Sequence, residues 1–409
     1  MKNNKGFGKG ILCGLLVMIF LGIGAFFILQ NRGIVSVNLR PVNLEESNVP
    51  LPGSEEVNSK LNEMLSKINA YYLEDIDYSQ LVDGMYAGLV KGLEDPYSVY
   101  YTKEELKSTM ESTEGKYYGI GATMSQDKET GIIKIVQMFE GTPAEEAGLL
   151  PEDILYKVDG AEVSDMDLTE VVSLIKGEEN TKVTLTIVRE GQGDYMDIEV
   201  ERKEVEVPTI EHEMLEDQVG YIKILQFDVI TEEQFNAAME DLNNQGMEKL
   251  VIDLRNNPGG VLSTVVHMLQ QMLPEGMIVY TEDKYGEREE YKSDGKHEFT
   301  KPLALLVNGN SASASEIFAG AIQDYGIGTL VGTTTFGKGI VQTLVHLDDG
   351  SAMKLTISKY YTPKGNNIHG IGIEPDIEID LTEELKQQST ITKEEDNQLQ
   401  KALEVLKDK

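Results

Sequence analysis

Residues 302–342 constrain the fold more than any other stretch. Pro302-Leu303-Ala304-Leu305-Leu306-Val307 is an apolar run suited to a buried strand. Asn308-Gly309-Asn310 turns the chain, and five small residues follow, Ser311-Ala312-Ser313-Ala314-Ser315. From Glu316 onward the apolar residues 317 and 321, and 318 and 322, fall one helical turn apart. The small residues therefore sit where a strand passes into a helix. A serine there stands at the end of a sheet, beside unpaired helix N–H groups that favour negative charge. Glu316, in the first turn, suits that field. A second glycine-flanked turn, Phe336-Gly337-Lys338-Gly339, joins the apolar runs 329–332 and 340–345. If 338–342 is extended, Lys338 and Gln342 share one face.

A serine nucleophile needs a base for its proton and donors for the developing oxyanion. A lysine is a base near pH 7 only when burial or nearby positive potential keeps it neutral. Taken singly, the serine run reads equally well as a small-residue turn and Lys338 as an ordinary loop lysine. Together, each at its strand end, they read as one reactive site.

Asn308 to Asp324 and Phe336 to Gln342 resemble the C-terminal processing peptidases, or tail-specific proteases, which are Ser–Lys serine proteases. The resemblance covers roughly residues 60–380 and implies Ser313 as nucleophile and Lys338, 25 residues later, as general base. It implies that Gln342 orients the lysine. It also implies an oxyanion hole made by the backbone N–H groups of Ala314 and of Gly259, in the turn Asp253-Leu254-Arg255-Asn256-Asn257-Pro258-Gly259-Gly260. The five histidines, at 212, 267, 297, 346 and 369, suggest no Ser-His-Asp triad, in keeping with a lysine base. Ser263 falls within a helical pattern and reads as structural, and Asp324 as a structural or capping residue.

Residues 11–29, beginning at Ile11 and ending at Leu29, are uncharged and mostly apolar. As a helix they span about 28 Å, near a bilayer core's thickness. Lys2, Lys5 and Lys9 precede them, which keeps the N-terminus cytoplasmic. A cleaved signal peptide is the competing reading, but no small-x-small site follows the run. The lone cysteine, Cys13, lies inside it, so the rest of the chain forms no intrachain disulfide. Acidic residues begin only at Glu45; beyond that point 31 basic residues face 70 acidic ones, which excludes nucleic-acid binding.

Residues 30–55 contain Pro41, Pro50, Pro52 and Gly53 and read as a tether. Apolar stripes at 57, 61, 64, 65, 68 and 72, and at 81, 85, 89 and 93, predict two helices, either core or a dimer surface. Thr102 with Glu105 predicts a capping box for a third. Residues 113–203 look like a PDZ domain, on the segments Gly141 to Leu149 and Asp153 to Gly160 taken in order. Such domains add a peptide C-terminus to a sheet edge. The carboxylate would meet the loop Tyr118-Gly119-Ile120-Gly121-Ala122, with Ile120 and Leu174 lining the side-chain pocket. Lys176 would either assist or be solvated. Beyond 204, strand–turn–helix units at 219–224, 231–245, 249–254 and 261–273 predict a layered α/β core. Thr231 to Gln234 reads as a capping box, and 392–406 as an amphipathic tail helix that contributes to oligomer contacts.

The expected architecture is α+β and multidomain. It comprises a cytoplasmic tail (1–10), a signal anchor (11–29), a linker (30–55), a helical region (56–112), a PDZ domain (113–203), a ClpP/crotonase-like core (204–382) and a tail helix (383–409). The expected function is a single-pass, membrane-anchored endopeptidase facing outside the cell. Its substrates would be proteins or peptides with free, apolar, unstructured C-termini. A homodimer is expected from the resemblance, and neither metal nor cofactor is. The rival readings are a catalytically silent membrane-anchored PDZ scaffold and an acyl-CoA-handling enzyme, the latter disfavoured by a secretory anchor.

Overall fold

The computed structural model describes residues 53–388 and 390–407. The expected tail and anchor, and most of the tether, lie outside the described residues. Among those described, no helix is long and apolar enough to cross a membrane. The chain divides into two units, one formed by 53–106 with Gln342–Ile357, the other by Lys107–Val341 with the residues from Ser358 onward.

In the second unit, a six-stranded sheet runs in the order Ile210–Met214, Val219–Ile224, Lys249–Asp253, Leu303–Val307, Thr329–Gly332, Ile377–Glu378. The first pair is antiparallel and every later pair parallel. Because strand side chains alternate, the two faces build two cores. Ile222, Ile224, Leu250, Ile252, Leu303 and Leu305 pack with the helices Thr231–Asn244, Leu262–Gln270 and Ala314–Tyr325. Val219, Tyr221, Val251, Ala304, Leu306 and Val331 pack with Leu399, Ala402 and Leu406 of the helix Asn397–Lys407. Burial on both faces explains the unbroken run at 303–307, whose five residues are all buried. The tail helix thus starts later than expected and spends its apolar face on its own sheet. A strand needs no polar alternation when both faces are covered.

The same unit carries a second sheet, ordered Ala122–Gln126, Ile133–Met138, Ile154–Val158, Lys182–Val188, Met196–Glu201. The helix Leu168–Ile175 carries a capping box, with Asp167 accepting from the Glu170 N–H. Val171 and Ile175 of this helix, with Ile120, Ile133, Leu155, Leu185 and Ile187, form a separate core. Lys116–Gly119 pairs antiparallel with Lys203–Glu206 and closes this part of the chain.

In the first unit, the helices Ser54–Tyr71 and Tyr78–Lys91 match the two predicted stripes. Thr102 N–H donates to Glu105 Oε2 and Glu105 N–H to Thr102 Oγ1, which is the predicted capping box. Val99–Tyr101 pairs antiparallel with Ala352–Lys354. The stripes are not core: Met64, Met85, Leu89 and Leu93 are exposed. The capping box expected at Thr231 is likewise absent, because Thr231 is already helical and buried. Its hydroxyl instead accepts the Asp228 N–H and bonds Thr209 and the Gln226 carbonyl.

Candidate active site

Ser313 stands between the buried strand Leu303–Val307 and the helix Ala314–Tyr325, at φ 55° and ψ −113°. A non-glycine residue there is strained by about 1–3 kcal/mol and persists only if its surroundings over-determine it. They do so here. The Ser313 N–H donates to Glu316 Oε2 at 2.9 Å. Its carbonyl accepts from Glu316 N–H at 2.8 Å, Ile317 N–H at 3.0 Å and the Tyr360 hydroxyl at 3.1 Å. Burial, with the Glu316 charge nearby, pushes the Tyr360 phenol well above its usual pKa, so it remains a donor.

Glu316 is fully buried, and its second set of bonds leads to the other turn. Oε1 accepts the Thr335 hydroxyl at 2.6 Å and the Gly337 N–H at 2.7 Å, and Oε2 accepts the Lys338 N–H at 2.8 Å. One carboxylate thus holds the backbone of Ser313 and the backbone of Lys338 together. Behind the turn, Thr335 N–H donates to the Ile373 carbonyl and Ile373 N–H to Thr335 Oγ1. Gly337 and Gly339 lie so close to 369–372 that a Cβ on either would come within 3.0 Å of backbone nitrogen. Ser313 and Lys338 are both half-buried.

The turn after Asp253 is brought against the serine. A Cβ on Gly259, at φ 102°, would lie 2.8 Å from Ser313 Cβ and 2.9 Å from the Ala314 nitrogen. Only glycine fits. Asn257 pins this turn: its amide donates to the Ile224 carbonyl, and its carbonyl accepts from Ala312 N–H and Ser315 Oγ. Asn256, Asn308 and Asn310 are cross-bonded by their side chains. Ala314 opens the helix, so its N–H has no partner within it. Gly259 N–H donates to Asn257 Oδ1 at 2.8 Å, so this expected oxyanion donor is engaged within its own turn. Gln342 opens the 342–357 segment of the first unit, where its amide donates to Thr356 Oγ1 at 3.4 Å. The strand begins at Ile340, two residues after Lys338. Asp324 receives the Lys364 N–H, and Ser263 lies in the helix Leu262–Gln270.

The second sheet domain carries a cleft of about 80 Å³ between Ala122–Gln126 and Leu168–Ile175. It is lined by Tyr117, Gly119, Ile120, Ala122, Met124, Val172, Ile175 and Lys176. Gly119, Ile120, Ala122 and Lys176 of the sequence prediction are therefore present. Tyr118 is exposed and its hydroxyl meets Glu204, while Leu174 is exposed. Gly121, at φ 78°, abuts Thr142, whose hydroxyl bonds the Gly121 carbonyl. Lys176 is not simply solvated: Nζ lies 3.2 Å from Glu111 Oε2 and 4.9 Å above the Tyr117 ring. Burial pushes the Tyr117 phenol up to about 12. Among the described residues, no group of three or more His, Cys, Asp or Glu is placed to hold a metal ion.

The fold presents a strained serine at a strand-to-helix turn, tied through Glu316 to the Lys338 turn, and a separate sheet domain with an apolar cleft. Comparison with known proteins specifies the class. The model of Peptidase family S41 matches 218–379, a PDZ domain model matches 134–189, and that of the activating protease CtpB N-terminal domain matches 21–105. The carboxy-terminal processing protease CtpA of Bacillus subtilis (strain 168) is 38% identical over 328 residues, 80% of this chain and 70% of that protein. A protein of Staphylococcus aureus (strain COL) described as a "Probable CtpA-like serine protease" is 38% identical over 325 residues, 79% of this chain and 64% of its own length. The solved photosystem II D1 C-terminal processing protease is 30% identical, with TM-score 0.46, covering 75% of this chain and 84% of its own. The chain belongs to the C-terminal processing peptidases of family S41. It is a serine-type peptidase with a PDZ domain.

Glu316, Tyr360 and Asn257 were not assigned these roles from the sequence. The partners that join the two turns are distant in the chain, and the one local signal is an acid in a helix's first turn.

Proposed function

We propose that this protein is a membrane-anchored, extracytoplasmic endopeptidase that captures apolar C-termini in its PDZ cleft and cleaves with a Ser313–Lys338 dyad. The bond from one buried carboxylate, Glu316, to the backbones of both residues carries this reading. Neutral Lys338 Nζ takes the Ser313 Oγ proton as Oγ attacks the carbonyl carbon. The oxyanion is met by Ala314 N–H and by Gly259 N–H as the latter leaves Asn257 Oδ1. The C–N bond then breaks and the Lys338 ammonium returns its proton to the leaving amine. Lys338 Nζ then deprotonates a water, whose oxygen attacks the ester carbon, and the same proton passes to Ser313 Oγ as the C–O bond breaks. Gln342 takes the orienting role toward Lys338 that the family resemblance implies.

The three lysines before the uncharged run 11–29 support an anchor with the protease outside the cell. The exposed apolar faces of the helices Ser54–Tyr71 and Tyr78–Lys91 support a homodimer. The test is cleavage of an unstructured protein with an apolar C-terminus by wild type, Ser313→Ala and Lys338→Ala, with and without a charged tail appended to the substrate. Cleavage by wild type alone, weakened by the tail, supports the reading. Equal cleavage by Ser313→Ala removes it, and a membrane fraction lacking the protein removes the anchor.

A further inference from the structure

Arg255 opens the turn that carries Gly259, and the N–H groups of its guanidinium are all engaged. Nε donates to Asp253 Oδ1 at 2.9 Å and Oδ2 at 3.1 Å. Nη2 donates to Asp253 Oδ2 at 2.6 Å and lies 2.8 Å from Asp396 Oδ2. Nη1 donates to Asp396 Oδ1 at 3.1 Å and Gln398 Oε1 at 2.9 Å. This accounts for the five donors that a guanidinium has. Burial opposes the charge, but the two carboxylates outweigh it and hold the group above its usual value. Asp253 is further fixed by the Tyr221 hydroxyl at 2.8 Å.

Asp396 and Gln398 lie 141 and 143 residues beyond Arg255, at the start of the helix Asn397–Lys407. Both are buried. Asp396 Oδ1 also accepts the N–H groups of Gln398 and Leu399, so the residue that starts the helix is the one that grips the arginine. Gln398 is itself fixed by its side-chain amide, whose Nε2 donates a hydrogen bond to the Ile379 carbonyl.

We propose that Asp396 and Gln398 are positioning residues for the protease reaction, setting the oxyanion turn through Arg255. Asn256, the next residue, sits at φ 62°, in the left-handed region that a side chain tolerates only when held. It is held by Asn308 and Asn310 on one side and by the anchored Arg255 on the other. Asn257 follows, and its Oδ1 takes the Gly259 N–H. Asparagine at 396 keeps Oδ1 for the helix start but turns an NH₂ toward Nη2, so one N–H of a buried guanidinium loses its acceptor, Arg255 shifts and the turn follows. A shift of about 1 Å in a reacting group costs on the order of 100-fold in rate.

This inference rests on Ser313 attacking with Gly259 and Ala314 as oxyanion donors, and the experiment separates the two failures. Full-chain wild type, Asp396→Asn, Gln398→Met and Lys249→Met are compared in steady-state cleavage, in inhibition by a peptidyl boronic acid and in thermal unfolding. The boronate bonds a serine Oγ and places an oxygen where the oxyanion forms. Asparagine caps helices as well as aspartate does, so Asp396→Asn keeps the helix start. Lys249 Nζ bonds the Leu406 carbonyl at the far end of the helix, and its loss controls for loosened docking alone. The expected result for Asp396→Asn is kcat lowered and boronate Ki raised by the same factor, roughly 10- to 100-fold, with KM within about twofold. Gln398→Met shows the same pattern more weakly and carries the test if Asp396→Asn does not fold. Lys249→Met changes neither constant. Unchanged kcat in folded Asp396→Asn or Gln398→Met, or an equal loss in Lys249→Met, overturns the proposal. Absence of boronate binding to wild type overturns the nucleophile reading instead.

Discussion

Replacing Glu316 with glutamine preserves shape and removes one carboxylate oxygen. In the protein, Oε1 serves Thr335 Oγ1 and Gly337 N–H, while Oε2 serves Ser313 N–H and Lys338 N–H. A glutamine amide keeps one acceptor and turns a donor toward the other pair. If the NH₂ takes the Oε2 side, two backbone N–H groups lose their acceptor. If it takes the Oε1 side, Gly337 N–H loses its acceptor and the Thr335 hydroxyl must turn, although that oxygen also accepts from Ile373. Each orphaned buried donor costs about 1–3 kcal/mol, so the substitution destabilises by about 1–6 kcal/mol, according to which way the amide turns. Against a total of about 5–15 kcal/mol, the fold survives at low temperature with a lowered Tm. In the first orientation both halves of the backbone link between Ser313 and Lys338 are cut. In the second that link is kept and the Gly337 N–H beside Lys338 is released. In either case a displacement of about 1 Å in a reacting group lowers kcat on the order of 100-fold. Thermal unfolding and peptide cleavage of Glu316→Gln measure both effects. A Tm unchanged within error together with full kcat would refute the claim that this carboxylate holds the two turns.

Three further outcomes follow from named contacts. Gly259→Ala puts a methyl group 2.6 Å from the Ala312 carbonyl oxygen and 2.8 Å from Ser313 Cβ, so cleavage should be lost while far-ultraviolet circular dichroism stays native; retained cleavage would contradict the packing. The PDZ cleft of about 80 Å³ is roughly half the size that accommodates benzene. Substrates ending in alanine or valine should therefore show lower KM than those ending in phenylalanine, and Val172→Arg should erase the difference; a phenylalanine preference would sink the assignment. Burial pushes the Asp228 carboxyl up to about 6, against about 4 in an unfolded chain. Between those values the folded state holds a proton that the unfolded state has lost, so stability falls as pH rises from about 4 to 6, by at most about 3 kcal/mol. Denaturation of Asp228→Asn across that range should show a flatter slope, and an identical slope would exclude Asp228 as its source.

The elements legible in the sequence were those whose signal is local. The run at 303–307 needed no partner to be read as a buried strand. The Thr102–Glu105 box is likewise a three-residue relation. Thr231 misled because a threonine before a helix caps it only if it lies outside the helix, and burial among Thr209 and Gln226 decided otherwise. The N-terminal stripes were ambiguous because a helical apolar face does not name its partner. At the site, Ser313, Lys338 and Gly259 were identified by resemblance, but the means of joining them was not. Glu316 spans 22 residues to Lys338 and Arg255 spans 141 to Asp396, and such distances are closed only by the folded sheet.

The central claim, that Ser313 is a nucleophile made reactive by Lys338, is tested most directly by covalent labelling. Wild type, Ser313→Ala and Lys338→Ala would be incubated with a fluorophosphonate and digested, and the modified peptide located by mass spectrometry. The account predicts one phosphonyl group on Ser313 in the wild type, none at that peptide in Ser313→Ala, and labelling slowed by at least about 100-fold in Lys338→Ala, at the low end of what general-base catalysis supplies. Label on another serine, or an undiminished rate in Lys338→Ala, would contradict it.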